Sequence, residues 1–226
     1  MHLPNGAQIF IENTRAQAVS ATNVSNAEKP EFTVASGGTD FKKGDYIIVT
    51  ASSWGKLLDR VLRVTAAEET KVTEETKVTV EGIDTTDTNV FPAGAVTASF
   101  AKINGWTEIP CVQDLGQDGG EQQYYNYQCL SDDQEQQLPT YKSAVSLTYT
   151  FAHEYDNPIY PLLRKADESG DVKALRMYVP KAKEMRLWAG VLSFNEIPQT
   201  AVNEMETVSL SVSLKGRFTF LPANQD

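Results

Sequence analysis

Cations, histidines and cysteines are all scarce in this chain. Its 226 residues hold 20 Lys and Arg against 30 Asp and Glu, a formal net charge of −10, with two His and two Cys. Gripping phosphates by counterion release needs clustered Lys and Arg, so a sequence-reading DNA binder is disfavoured. His2 lies near the start of the chain, and His153-Glu154 falls between a strand and a helix without a nucleophile-elbow pattern beside it, so Ser-His-Asp chemistry finds no support. Asp84, Asp87 and Asp132-Asp133 are scattered and lack a calcium-loop spacing, while Gly37-Gly38 and Gly119-Gly120 are turn glycines with no phosphate-loop pattern. No enzyme activity, metal or cofactor is expected. Apolar runs such as Tyr46-Ile47-Ile48-Val49 fall far short of the roughly 18 to 20 residues that span a bilayer. The opening Met1-His2-Leu3-Pro4-Asn5-Gly6 has neither the basic nor the apolar region of a secretory leader, so the Asn23-Val24-Ser25 glycosylation match carries no meaning. Cys111 and Cys129 come out of register in the hairpin expected for their segments, and no structural disulfide is anticipated.

What is present is an ordinary globular composition, 41% hydrophobic and 22% charged, which excludes wholesale disorder and permits one large domain or a domain with an insertion. Ile9 and Ile11 mark a short strand over 8–12, and the polar stretch 13–29 reads as loop. Over 30–103 the texture changes to short strands at 46–50, 61–64, 77–80 and 96–103, with another around Phe32 and Val34. Five such strands suggest a small inserted barrel. The alternative is that they simply extend the main sheets. Within them the hexapeptide Glu-Glu-Thr-Lys-Val-Thr occurs twice in succession, at 68–73 and 74–79. Six is even, so the duplication preserves which face each side chain takes and reads as a lengthened surface hairpin, with Val72, Val78 and Val80 in phase. A second hairpin is expected to join 106–112 to 124–130 across the turn formers of 113–120. It precedes an exposed, wholly polar loop at 131–137. Trp54, Trp106 and Trp188 have no basic residues clustered around them and read as core or interface anchors, not base-stacking platforms.

The most informative stretch is 144–221. Val145, Leu147, Tyr149 and Phe151 alternate with polar residues in a strand over 144–151. Ile159, Leu162, Leu163 and Ala166 then fall on one stripe of a helix over 158–168, with Asp156 and Asn157 as caps and Ser169-Gly170 as a stop. Strands over 172–179 and 184–194 flank a Pro-containing turn, and a long strand pair over 208–221 ends the pattern.

This order resembles the major tail tube proteins of long, flexible-tailed bacteriophages. The resemblance rests on Lys142-Ser143-Ala144, strand, helix, Glu168-Ser169-Gly170, strand, turn, Trp188-Ala189-Gly190-Val191-Leu192-Ser193-Phe194, and 208–216. It extends upstream to Gly105-Trp106-Thr107-Glu108-Ile109, Gly120-Glu121-Gln122-Gln123 and 81–87. It implies a mainly β fold, a tail-tube-type β-sandwich or barrel flanked by one α-helix; its core is then expected in 1–29 and 104–226, with the strands of 30–103 as an inserted barrel-like segment or an extension. It also implies hexameric rings stacked into a hollow tube in the virion tail. The tube would be assembled in the host cytoplasm around a tape measure protein, bounded by tail terminator and tail-tip proteins, and later traversed by DNA without sequence-specific binding. The long hairpin and its loop would then reach a neighbouring subunit or ring. The interface candidates are Tyr124, Tyr125, Tyr127, Trp188, Phe194, Asp132, Asp133 and Glu135. Two other readings stand beside this one: a related morphogenesis protein that stops at one ring, such as a tail terminator or tube-like secretion component, and a monomeric β-rich binding module.

Overall fold

The computed structural model describes residues 5–35, 40–70 and 75–223. After β1 (Gln8–Arg15) the chain builds a closed six-stranded barrel from β2 (Val19–Val24), β3 (Glu31–Ala35), β4 (Tyr46–Ser52), β5 (Val61–Thr70), β6 (Glu75–Glu81) and β7 (Ala98–Ile109). Around the barrel the order is β2-β3-β6-β5-β4-β7, and Val19, Ser20 and Ala21 close it by pairing with Phe100, Ser99 and Ala98. So small a barrel has room only for side chains. Phe32, Ile47, Leu62, Val78 and Phe100 fill it, with the Phe32 and Phe100 rings edge-on at 5.0 Å. Trp54 plugs one end, against Phe91, and donates its indole N–H to the Pro92 carbonyl at 3.1 Å.

The stretch 13–29, expected to be loop, therefore contains a barrel strand. Only Ala21 and Val24 of β2 are buried, so its pairing to β3 and β7, and not its own composition, makes it a strand. The described parts of the repeat pair as the arms of the expected hairpin, β5 against β6, with Thr70 opposite Glu75, Glu68 opposite Lys77 and Val78 in the barrel. Lys71, Val72, Thr73 and Glu74 lie outside the described residues.

Strand β7 belongs to two structures. Its first half pairs with β2 and β4 in the barrel, and its second half pairs with β1, Ile109 opposite Ile9 and Trp106 opposite Glu12. Gly105 sits at the irregularity between them, where a Cβ would lie 2.8 Å from the Thr14 hydroxyl. From β1 the sheet continues through β12 (Val172–Val179), β13 (Glu184–Gln199), β14 (Thr207–Pro222), β11 (Ser146–Ala152) and β8 (Val112–Asp118). Four strand spacings of about 4.8 Å separate β8 from β12 in that order. Yet Leu115 of β8 and Met177 of β12 line one cavity, so the sheet curls back on itself as a sandwich. The helix α1 (Tyr160–Ser169) closes one side, burying Tyr160, Leu163 and Ala166.

That helix starts two residues later than expected. The Asn157 carboxamide accepts the Ile159 N–H at 3.0 Å, and Pro161 falls in the first turn where it displaces no hydrogen bond. Gly170, at φ 63°, ends it. Two further expectations are corrected. Residues 208–221 form one strand, because Gly216 (φ 66°) takes up an irregularity in the register with β13 without reversing the chain. The hairpin joining 106–112 to 124–130 does not form. The presumed turn at 113–120 lies largely in β8, which pairs with β11, while β9 (Gln122–Tyr127) pairs with β10 (Gln136–Lys142).

A third core joins barrel to sandwich: Ile48, Val61, Ala101 and Ile103 pack on Ala174, Leu187, Ala189 and Leu221. Polar groups pin its border. Arg63, 3% exposed, donates to Glu81 Oε1 at 2.5 Å and to the Pro222 carbonyl at 2.9 Å. Arg60 donates to the Gly82 carbonyl at 2.9 Å, and burial, with Arg217 adding, lowers its guanidinium to about 10. Gly82 itself has φ 106°, and a Cβ there would meet Thr219 Cγ2 at 2.3 Å. Gly82→Ala should therefore cost roughly 2–4 kcal/mol from backbone strain and overpacking, whereas Gly55→Ala, with open space around it, should stay within about 0.5 kcal/mol, as urea unfolding would measure. Asp59, in the αL conformation beside Gly216, has its carboxyl raised by burial, which outweighs Lys215 and Arg15. A raised carboxyl means the ionised form is the one penalised, so its cost is present at neutral pH and vanishes on protonation. Asp59→Asn should raise the thermal midpoint at neutral pH, and the gain should disappear near about pH 3.

Candidate assembly surfaces

Chemistry-bearing side chains are occupied structurally. His153 Nδ1 lies 2.9 Å from the Tyr160 hydroxyl with the rings stacked at 5.8 Å, and its backbone N–H donates to the Glu206 carbonyl at 2.8 Å. It thereby ties the end of β11 to the start of α1 and the approach to β14. His2 lies outside the described residues. Among the described residues, no three His, Cys, Asp or Glu converge as metal ligands, and no helix is long and apolar enough to cross a membrane. Cys111, at φ 47° in the turn between β7 and β8, and Cys129, in the β9–β10 loop, are both exposed.

The interface candidates divide by burial. Trp188 is 1% exposed and stacks on Phe218 at 4.9 Å, and Phe194 is wedged among Phe151 and Tyr160, so both side chains are spent in the protomer's own core. The others lie on or near the β9–β10 hairpin, a two-stranded sheet apart from the main one. Its root is tied by Ser143 N–H to the Glu121 carbonyl (2.9 Å) and Glu121 N–H to the Ser143 hydroxyl (3.0 Å). Gly119, at φ 80°, lets the chain leave there, since a Cβ would come 1.9 Å from the Ala144 carbonyl oxygen. Beyond the root, Tyr125 faces Leu138 and Tyr124 faces Pro139, and the Tyr127 hydroxyl donates to Gln136 Oε1 at 2.7 Å. All seven residues of β10 are exposed, as are Tyr124, Tyr125, Asp133 and Glu135; Tyr127 and Asp132 are half-buried. The Asp132 carbonyl and carboxylate accept from Gln128 and Gln136, which shapes the loop. An isolated two-stranded hairpin is marginal in water, and one that displays tyrosines and leucines is a surface awaiting cover.

Three further surfaces escaped the reading of the sequence. Strand β8 is the outer edge of the main sheet among the described residues, so one row of its backbone groups has no strand beside it. Its Gln-Asp-Leu-Gly-Gln-Asp sequence carries no strand signal. The tip between β13 and β14 exposes Ile197, Val202 and Met205, an apolar group scattered over a polar stretch. The outer face of β8, β11, β14 and β13 is mostly small polar groups: Asp118, Ser146 and Ser213 stand abreast with Val191 as the β13 member of their row, then Gly116, Thr148, Ser211 and Ser193, then Asp114, Thr150, Ser209 and Asn195. None of these positions holds Lys or Arg, and all are half-buried or exposed. Their Ser and Thr periodicity was visible in sequence. Its location on one bare face was not.

Two substitutions separate surface from core. Tyr125→Ser with Leu138→Ser should leave protomer stability within about 0.5 kcal/mol, while Trp188→Ala should cost about 3–5 kcal/mol in urea unfolding.

Comparison with known families identifies the chain by a match over most of its length. The model described as "Phage tail tube protein, TTP" aligns with residues 52–223, from the last residue of β4 through β5, β6 and β7 of the barrel and on to the end of β14. No curated protein matches the chain.

Proposed function

Since the chain belongs to the phage tail tube protein family, a structural component of the virion tail, we propose that six copies close into a ring and that rings stack into the hollow tube through which DNA leaves. The tube is built in the host cytoplasm around a tape measure protein and is bounded by tail terminator and tail-tip proteins. One observation carries this reading: the open edge of β8 and the uncovered β9–β10 hairpin leave backbone and apolar groups unsatisfied in the lone protomer, adjacent to one another in the chain. A ring removes such an edge by pairing it with the next copy, and a head-to-tail contact closes when its rotation fits. Tyr124, Tyr125, Tyr127, Asp132, Asp133 and Glu135 are then the contact residues. Residues 30–103 form an inserted unit, completed by β2 from the preceding stretch and anchored by the junction core.

The bore is assigned to the outer face of β8, β11, β14 and β13. A lumen must pass a polyanion without holding it. Hydroxyls and the carboxylates of Asp114 and Asp118 meet phosphates with weak or like-charge contacts, whereas lysines would bind them by counterion release. Six copies at −10 each give a formal −60 per ring, consistent with that requirement.

Electron microscopy of the concentrated protein tests the assembly: long hollow tubes are expected, single rings would favour a terminator-like role, and a persistent monomer would reject tube building. Thr148→Lys with Ser211→Lys tests the bore. Tubes should still form and DNA ejection should slow; unchanged ejection rejects this face as the lumen.

A further inference from the structure

Arg15, Arg63, Arg164 and Arg186 each meet a carboxylate of their own chain. Arg176, on β12 at the border of the junction core, meets none among the described residues. Its guanidinium lies instead over the Phe10 ring at 4.6 Å, the Trp106 ring at 4.7 Å and the Tyr46 ring at 5.5 Å, and the Tyr46 and Trp106 rings meet edge to face. Strands β1, β7 and β4 thus supply a clasp of three rings, and all four side chains are half-buried.

A clasp of that kind fixes the guanidinium without using its donors. Ring faces attract the flat face of the cation, and the N–H groups, which lie in its plane, stay free. Nε is buried without a partner; the Nη groups are not covered, and no acceptor of good geometry meets them among the described residues. Burial lowers the Arg176 guanidinium from its ordinary range, and the Tyr46 hydroxyl beside it offsets part of that drop. Glu108, the acidic residue on this face, stands two strand spacings away on the far side of Phe10, where it accepts from Gln8 at 3.2 Å. The notch therefore holds a fixed, unpaired cation among aromatic rings, a setting in which a carboxylate makes strong charge-assisted hydrogen bonds.

The tip between β13 and β14 is the chemical opposite of this notch. From Asn195 to Glu206 it carries Glu196, Glu204 and Glu206 and no cation. Glu196 is paired with Arg164, and Glu206 accepts from the Thr200 hydroxyl at 2.9 Å, which leaves Glu204 without an ionic partner among the described residues. Glu204 closes a turn in which Asn203 takes φ 65°, and Val202 and Met205, 88% and 62% exposed, stand beside it. One protomer cannot bring the two together. Arg176 pairs with Leu187, and β13 runs on for about twelve residues, roughly 40 Å, before the tip begins. We infer that the Arg176 notch receives the Glu204 tip of a second copy, the carboxylate on the guanidinium and Val202 and Met205 on the rings. A tip that points away from its own notch makes a heterologous contact, repeated from copy to copy by the same displacement. This inference rests on the self-assembly reading above and adds a contact apart from the β8 edge and the β9–β10 hairpin.

A double-mutant cycle on the full chain tests the pair. Glu204→Lys alters an exposed turn, so circular dichroism should stay unchanged. The protein concentration at which tubes first appear in electron microscopy should rise at least about tenfold, because two cations then face each other. Adding Arg176→Glu exchanges the charges and should bring that concentration back to within about threefold of wild type. If the exchanged variant loses its fold, Arg176→Met, which keeps an apolar stem in the clasp, takes its place. In that background Glu204→Lys should add less than about a threefold loss, since the group it repels is gone. Three results would each overturn the notch and leave the tube reading standing: tubes from Glu204→Lys at the wild-type concentration, no recovery in a folded charge-exchanged variant, or the same tenfold loss beside Arg176→Met. Wild-type protein that forms neither rings nor tubes would overturn both.

Discussion

The architecture hangs on the backbone of β7. A strand has two edges of hydrogen-bonding groups, and this one divides them along its length: Ala98, Ser99 and Phe100 serve β2 and β4 within the barrel, and Thr107, Glu108 and Ile109 serve β1 in the sandwich. Only an unusually long strand, twelve residues here, can be shared in this way. The consequence is that barrel and sandwich are parts of one hydrogen-bonded sheet, and the junction core with its Arg63–Glu81 pair seals what β7 joins. The barrel is therefore continuous with the sandwich through β7 and does not hang on a linker.

Burial on both sides of a strand explains much of what the sequence concealed. Strand β13 has Trp188 and Leu192 in the sandwich interior, while Leu187 and Ala189 face the barrel. A run apolar on both faces reads equally well as core or as interface, which is why Trp188 and Phe194 stood among the contact candidates. Strands β2 and β8 fail the opposite way. Each is a polar segment made extended by its neighbours, and Gly116 in the middle of β8 reads as a turn until Thr148 is set opposite it. By contrast the strand at Val172–Val179 was legible to the residue, because its alternation is bracketed by Gly170 and Pro180. The barrel was legible as a density of short strands, but not its closure, which depends on pairings between distant residues such as Val19 and Phe100.

The surfaces follow the same logic of satisfied and unsatisfied groups. Where the protomer can complete itself it does so: His153 finds Tyr160, Arg63 finds Glu81, and Trp54 finds a carbonyl. Where it stops short, β8 is left with an open edge among the described residues and the β9–β10 hairpin stands uncovered. Family membership makes sense of these deficits, because a tube is an assembly of many copies of its subunit.

Amide hydrogen exchange on dispersed and assembled protein puts this to the most direct test. The account predicts that amides of Val112–Asp118, Gln122–Tyr127 and Gln136–Lys142 exchange readily in the dispersed protein and gain strong protection on assembly, while the barrel interior changes little. Assembled protein in which those three strands exchange as fast as before, with new protection elsewhere, would contradict it.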